Sequence, residues 1–342
     1  MALDRQIVRA PEFPAVDWLN APQPPTVAGL RQRSVLVDIW DFTCINCLRT
    51  LPSLRDWHER YREAGLAVLG VHTPEFPFAR DPRHVQAAVG RLGLRWPVAL
   101  DNEQTIWTAF ANYAWPSIYL IDAEGYLRFR HVGEGGYARV EEAIRTLLTE
   151  AGQDEEALPP MRPDAVDEGG EGAICLPVTP ELQLESLGNG PIEGDRSQSL
   201  LLPEERPEGA FYLDGQWRLV DRGLSLVSEA GEAILPFRAS AVHAVLSPFA
   251  GAEAPPRPEP VAVEAWLDGA PVAAGHYGRD LFHRQGSTWL QVDFPRLYDV
   301  AIALGPGPHE LRLRCASPGW SLYAFSFQAC LDPSSTPRSA AC

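Results

Sequence analysis

The chain has 342 residues, of which 45% are hydrophobic and 9% aromatic, more than one core usually organises and enough apolar material for two globular domains. Its formal net charge of −16 argues against nucleic acid or anionic membrane surfaces as partners. No apolar run is long enough to span a bilayer, and Met1-Ala-Leu-Asp-Arg-Gln6 lacks the apolar stretch of a signal peptide, so the sequence predicts a soluble, cytoplasmic protein.

The first element is the apolar, β-branched run Val35 to Trp40, of the kind a buried parallel strand needs. Leu48, Leu51 and Leu54 to Trp57 then recur at helical spacing, so Cys44 and Cys47 fall where the strand turns into a helix. Their i, i+3 spacing puts both sulfurs on one turn. Cys44 lies at the helix N-terminus, where unpaired N–H groups and the helix dipole favour a thiolate, and is the expected nucleophile. Cys47, one turn inside, is the expected resolving cysteine of a Cys44–Cys47 disulfide. Asp38 sits inside the apolar strand, where burial pushes a carboxyl pKa up; it is the expected proton acceptor for Cys47.

Leu66 to Val71 predicts a second buried parallel strand, Val85 to Leu92 and Ile106 to Ala111 two helices, Ser117 to Ile121 and Tyr126 to Val132 a hairpin, and Val140 to Leu148 a closing helix. This order implies an α/β domain with a central mixed sheet and helices on both faces. His72 and Glu75 follow the second parallel strand, on the edge that carries the Cys44 turn. With Thr43 they are candidates for the active-site rim. Glu75 reads equally as a proton shuttle or as a solvated residue of a turn-rich loop, and Arg49 as a surface residue of the helix, with help in holding the thiolate as its alternative.

Glu12-Phe-Pro with Trp18-Leu-Asn, Phe42-Thr-Cys-Ile-Asn-Cys-Leu-Arg49, Gly70-Val-His-Thr-Pro-Glu-Phe76 and Tyr113-Ala-Trp-Pro116 together resemble the thioredoxin-fold, TlpA-like redoxin domains of DipZ-type cytochrome c biogenesis proteins and of NHL-repeat proteins. The resemblance covers roughly residues 11 to 150. It implies a cis peptide bond before Pro116, with Trp115 and Pro116 forming a substrate-docking edge opposite the cysteines. Two departures stand out. Trp115 is bulkier than the residue usual in thioredoxins, and Thr50 stands where many TlpA- or ResA-like relatives carry a glutamate, so the proton path rests on Asp38.

Gly152 to Gly172 is acidic and rich in Pro and Gly, as a solvated linker is. From Ile174 on, short alternating runs separated by Asp-Gly, Gly and Pro turns predict an all-β sandwich. The domain division is 1–152 redoxin, 153–173 linker, 174–331 β-sandwich and 332–342 polar tail. Trp266-Leu-Asp-Gly-Ala270, Arg296-Leu-Tyr-Asp299 and Tyr323-Ala-Phe-Ser-Phe327 make the second half resemble the carbohydrate-binding-module-like sandwich of DipZ-type proteins. A glycan site there would need an exposed aromatic platform. Trp217, Tyr277, Trp289 and Trp320 are the candidates, against the alternative that they are core aromatics.

Cys175, Cys315, Cys330 and Cys342 show no zinc spacing. Cys315 and Cys330 fall in or beside predicted strands, where a cysteine behaves as a small hydrophobe. The expected function is that of a thiol:disulfide oxidoreductase acting on protein disulfides, with no metal and no cofactor. The alternatives are a thiol peroxidase, against which Thr43 is adjacent to Cys44 and not three places before it as in the Thr-x-x-Cys turn of peroxiredoxins, and a glycan-binding or interaction protein with a vestigial redox site.

Overall fold

The computed structural model describes residues 8–161, 174–175, 178–192, 194, 196–251, 259–305, 307–328 and 330–331. The chain divides into two compact units, Met1–Asp167 and Glu168–Cys342. In the first, the elements run β1 (Trp18–Leu19), β2 (Ser34–Trp40), α1 (Ile45–Tyr61), β3 (Leu66–His72), α2 (Pro82–Leu92), β4 (Val98–Leu100), α3 (Thr105–Ala109), β5 (Ser117–Ile121), β6 (Leu127–Val132) and α4 (Tyr137–Glu150). They form a thioredoxin-like sheet in the order β1-β4-β3-β2-β5-β6. β2, β3 and β4 are parallel, while β1, β5 and β6 pair antiparallel.

β2 and β3 are buried at all seven positions each, because central strands of such a sheet are covered on both faces. α2 begins on an Asp81 cap followed by Pro82 and stops at Gly93, which adopts φ 66°; a left-handed residue ends a helix most easily when it is glycine. β4 escapes sequence reading, since three residues after Trp96-Pro97 are too short to show a period. Residues 154–160, assigned by composition to the linker, lie on the first unit instead. Leu158 is buried, Arg145 donates to the Pro159 carbonyl and Arg60 to the Pro160 carbonyl. The remainder of that segment and the tail 332–342 fall outside the described residues.

The second unit is all-β: β7 (Ile174–Cys175), β8 (Gln198–Leu200), β9 (Tyr212–Val220), β10 (Gly223–Leu226), β11 (Gly231–Phe237), β12 (Ala241–Ser247), β13 (Val261–Leu267), β14 (Ala270–Pro271), β15 (Leu281–Arg284), β16 (Ser287–Val292), β17 (Arg296–Ala301), β18 (His309–Cys315), β19 (Ser321–Gln328) and β20 (Cys330–Leu331). A continuous ladder runs β15-β16-β13-β18-β11-β9-β10-β19-β12-β17. β9 belongs to both layers: its first part, Tyr212–Asp214, pairs with β11 and its second, Trp217–Val220, with β10. Gly215 lies between them at φ 111°, and a Cβ there would come within 3.0 Å of the Ala230 carbonyl oxygen. Strands that pass from one layer to the other do so at such corners.

The layers share one core, in which Phe211 meets Phe325 at 5.7 Å and Phe237 meets Phe327 at 5.6 Å. The alternating pattern does not reveal β11, because Pro236 interrupts it. Its pairing with β9 stops at Ile234, so the missing N–H of Pro236 lies beyond that ladder.

Candidate active site

Cys44 caps α1 in an extended conformation (φ −83°, ψ 113°), and its Sγ accepts the Cys47 N–H at 3.2 Å. Its side chain is partly exposed, whereas Cys47 is 1% exposed. The two are unbridged. Burial pushes the Cys47 thiol well above its ordinary range, helped by its hydrogen bond with Cys44 and by the charges of Cys44 and Asp38, while the backbone N–H of Asp41 works in the opposite direction. The pair thus sets an accessible sulfur at a helix N-terminus beside a shielded sulfur one turn inside.

Asp38 occupies the middle of β2, paired with Gly70 on β3 and Ile118 on β5. It is 1% exposed and neither carboxyl oxygen has a hydrogen-bond partner. Burial alone raises its pKa from 3.8 to about 8. Gly70 lets two indoles close over this position, since a Cβ there would lie 3.0 Å from the Trp40 Nε1 and 3.3 Å from the Trp96 Nε1.

Asp41, which sequence reading passes over, ties the cysteine turn together. It is fully buried. Its Oδ1 accepts the Thr43 N–H and hydroxyl, both at 2.7 Å, and its Oδ2 accepts the Glu75 N–H at 2.6 Å. Its carbonyl accepts the Cys44 N–H at 3.3 Å. One carboxylate therefore joins the loop after β2 to the loop after β3. The only local signal is an acidic residue two places before Thr43, which reads as an ordinary Asx turn.

Two of the expected rim residues lie beneath the surface. Thr43 is 1% exposed and spends its hydroxyl on Asp41. His72 is wholly buried, stacked on Phe42 at 5.3 Å and edge-on to Trp40, with Nε2 3.8 Å from the Asp41 Oδ2. Burial lowers its pKa below the ordinary imidazole value, so it is neutral near pH 7. The reason is its place as the last residue of β3, where the chain still lies under Phe42. Glu75 remains half-buried.

The Trp115–Pro116 bond is cis. The Trp115 indole donates to the Thr73 carbonyl at 3.1 Å and packs on Trp107, with centroids 4.4 Å apart. The Pro116 carbonyl accepts the Gly133 N–H at 2.8 Å, which fixes the loop between β6 and α4. From that loop Glu134 reaches Arg49 at 3.0 Å and bonds to Tyr137, whose hydroxyl lies 3.5 Å from the Thr50 Oγ1. Arg49 is thus engaged in an ion pair rather than lying loose on the helix surface. Burial raises Glu134 to about 7, against the pull of Arg49.

In the second unit, Trp217 and Trp320 are wholly buried and meet edge to face at 5.5 Å, which removes both as sugar platforms. Tyr277 packs partly against the same core. Trp289 borders a groove of about 330 Å³ with Glu232, Glu264 and Arg314. Among the described residues no cluster of three or more His, Cys, Asp or Glu is placed to hold a metal ion, and no helix is long and apolar enough to cross a membrane.

Residues 8–144 match the redoxin family, and residues 183–327 match the thioredoxin-like C-terminal domain family. Protein DipZ of Mycobacterium tuberculosis is 34% identical over 245 residues, which are 69% of this chain and 35% of that protein. The chain thus spans about a third of the length of the DipZ relatives. Human NHL repeat-containing protein 2 is 31% identical over 133 residues, 38% of this chain and 18% of that one. Thiol-disulfide oxidoreductase ResA of Bacillus anthracis is 25% identical over 118 residues, 34% of this chain and 65% of that one. Among solved structures, a thioredoxin-like superfamily protein is 28% identical with a TM-score of 0.40, covering 44% of this chain and 99% of its own.

Proposed function

From the membership of residues 8–144 in the redoxin family and of residues 183–327 in the thioredoxin-like C-terminal domain family, we propose that this chain is a thiol:disulfide oxidoreductase that reduces protein disulfides through Cys44 and Cys47. The observation that carries the reading is the asymmetry of the pair: one sulfur accessible at the start of α1, the other buried, with its thiol pKa raised, close enough to Asp38 to feel its charge.

The Cys44 thiolate attacks a substrate disulfide, forms a mixed disulfide and expels one substrate thiolate. Cys47 then gives its proton to the Asp38 carboxylate and attacks the Cys44 sulfur. The second substrate thiolate leaves, and a Cys44–Cys47 disulfide remains. Two electrons pass to the substrate, whose two thiolates take up protons. With a pKa of about 8, Asp38 is ionised in about one molecule in ten at pH 7, and the basic form grows as the pH rises. Trp115 and Pro116, backed by Trp107 and by the Gly133 loop, form the edge against which a substrate segment docks.

The test is trapping. Cys47→Ser should hold partner proteins as mixed disulfides on Cys44, visible on non-reducing gels and released by reductant. Stable adducts formed by Cys44→Ser and not by Cys47→Ser would reverse the assignment.

A further inference from the structure

Four of the six cysteines lie outside the redox pair. Cys315 is accounted for by the β18 core, where its thiol faces the carbonyls of Ala262 and Ser317. Two others are brought together by strand register. β7 (Ile174–Cys175) and β20 (Cys330–Leu331) form a two-stranded antiparallel sheet in which Cys330 stands opposite Cys175 and Leu331 opposite Ile174. The two cysteines are about 155 positions apart in the chain.

The same two stretches of chain meet once more outside the short strands, in a register offset by two residues. A few residues further on, the chain after β7 meets β19 in the same sense: Leu182 and Phe325 exchange both backbone hydrogen bonds, at 3.0 and 2.9 Å. The Ser326 hydroxyl donates to Glu181 at 3.0 Å. Both meetings, at Cys175 with Cys330 and at Leu182 with Phe325, are antiparallel. Directly opposed residues of an antiparallel ladder have Cα atoms about 4.5 or 5.5 Å apart. Both values fall inside the window of about 4.4 to 6.8 Å that a disulfide requires.

We propose that Cys175 and Cys330 form a second, structural disulfide that joins the first and last described strands of the β unit. Two S–H bonds break and one S–S bond forms, and the two electrons and two protons pass to a disulfide acceptor such as oxidised glutathione, which becomes two thiols. A two-residue, two-stranded ladder is marginal by itself. A bond across it closes almost the whole unit into one loop, where the loss of unfolded-chain entropy is large. The proposal does not depend on the chemistry at Cys44.

The test uses the full chain carrying Cys44→Ser and Cys47→Ser, incubated with oxidised glutathione and digested without reductant. Mass spectrometry should find the peptides of Cys175 and Cys330 linked, with the link lost in Cys175→Ser and in Cys330→Ser. Reduction should lower the melting temperature of the linked protein by roughly 5 to 10 °C and leave the Cys175→Ser protein unchanged. Quantitative alkylation of both thiols after oxidation, or linkage of either to Cys315 or Cys342, would overturn the proposal. If a serine variant does not fold, peptide mapping of the otherwise unmodified chain separates the same outcomes.

Discussion

Replacing Asp38 by Asn is expected to stabilise the protein progressively as the pH rises while slowing it. The carboxyl moves from 3.8 to about 8 on folding because it is buried in β2 without a hydrogen-bond partner. Between about pH 4 and pH 8 the native state therefore holds a proton that the unfolded state has lost. Native stability falls over that interval by about 1.36 kcal/mol for each pH unit, is lowest above pH 8, and shows no contribution below about pH 4, where both states are protonated. The Asn side chain carries no such linkage. Its own desolvation shifts the variant by a constant amount, so the informative quantity is the slope. From pH 5 to pH 7 the parent should lose about 2.7 kcal/mol relative to Asp38→Asn. Denaturant titrations of both fully reduced proteins at the two pH values measure this directly. In stopped-flow experiments, release of the mixed disulfide should slow by about 10² to 10⁴-fold, and the rise of the parent rate toward pH 8 should disappear. Parallel stability curves would show that Asp38 ionises normally, and an unchanged release rate would remove it from the proton path.

Asp41→Asn removes the charge that accepts from Thr43 and Glu75; it should cost about 1.5 to 3 kcal/mol, read from the denaturation midpoint, and slow disulfide exchange because the cysteine turn loosens. Glu134→Gln should flatten the pH dependence of turnover between pH 6 and pH 8, since its carboxyl titrates at about 7. The parent should also lose thermal stability relative to that variant as the pH rises from about 4.5 to 7, because the folded carboxyl holds its proton longer than the unfolded one. A fragment of residues 1–161 should fold alone, as judged by circular dichroism. It should be more stable than residues 1–152 by about 2 kcal/mol, from burial of Leu158.

What is legible in the sequence follows the range over which each feature acts. β2, α1 and the cysteine turn are readable because strand, cap and helix are consecutive, and the costly burial of Asp38 shows in its neighbours on either side. The strand pattern of the second unit is readable wherever alternation runs unbroken, as in Val261–Leu267, and is lost where Pro236 breaks it. His72 lies one layer deeper than the rim its spacing suggests, because period alone cannot say which loop roof covers the last residue of a strand. Trp217 and Trp320 are dominated by burial, which is decided by the opposite layer of the sandwich.

Residues that act across the fold leave no local mark. Asp41 matters because Glu75 comes to meet it from the next strand end, and no spacing rule links the two. The same holds around Thr50, the position where the sequence lacks a glutamate expected from TlpA-like relatives. There the fold brings a carboxyl from a distant loop: Glu134 bonds Arg49 and Tyr137, and Tyr137 reaches Thr50. Gly133 holds that loop against the Pro116 carbonyl, so the Trp115–Pro116 turn and the helix that carries Cys47 are joined through it. A carboxyl absent from α1 at Thr50 is thus present on the loop between β6 and α4, set between the Trp115–Pro116 turn and α1. Its titration near neutral pH makes the ion pair with Arg49, and with it the tie between those two elements, strengthen as the pH rises through about 7.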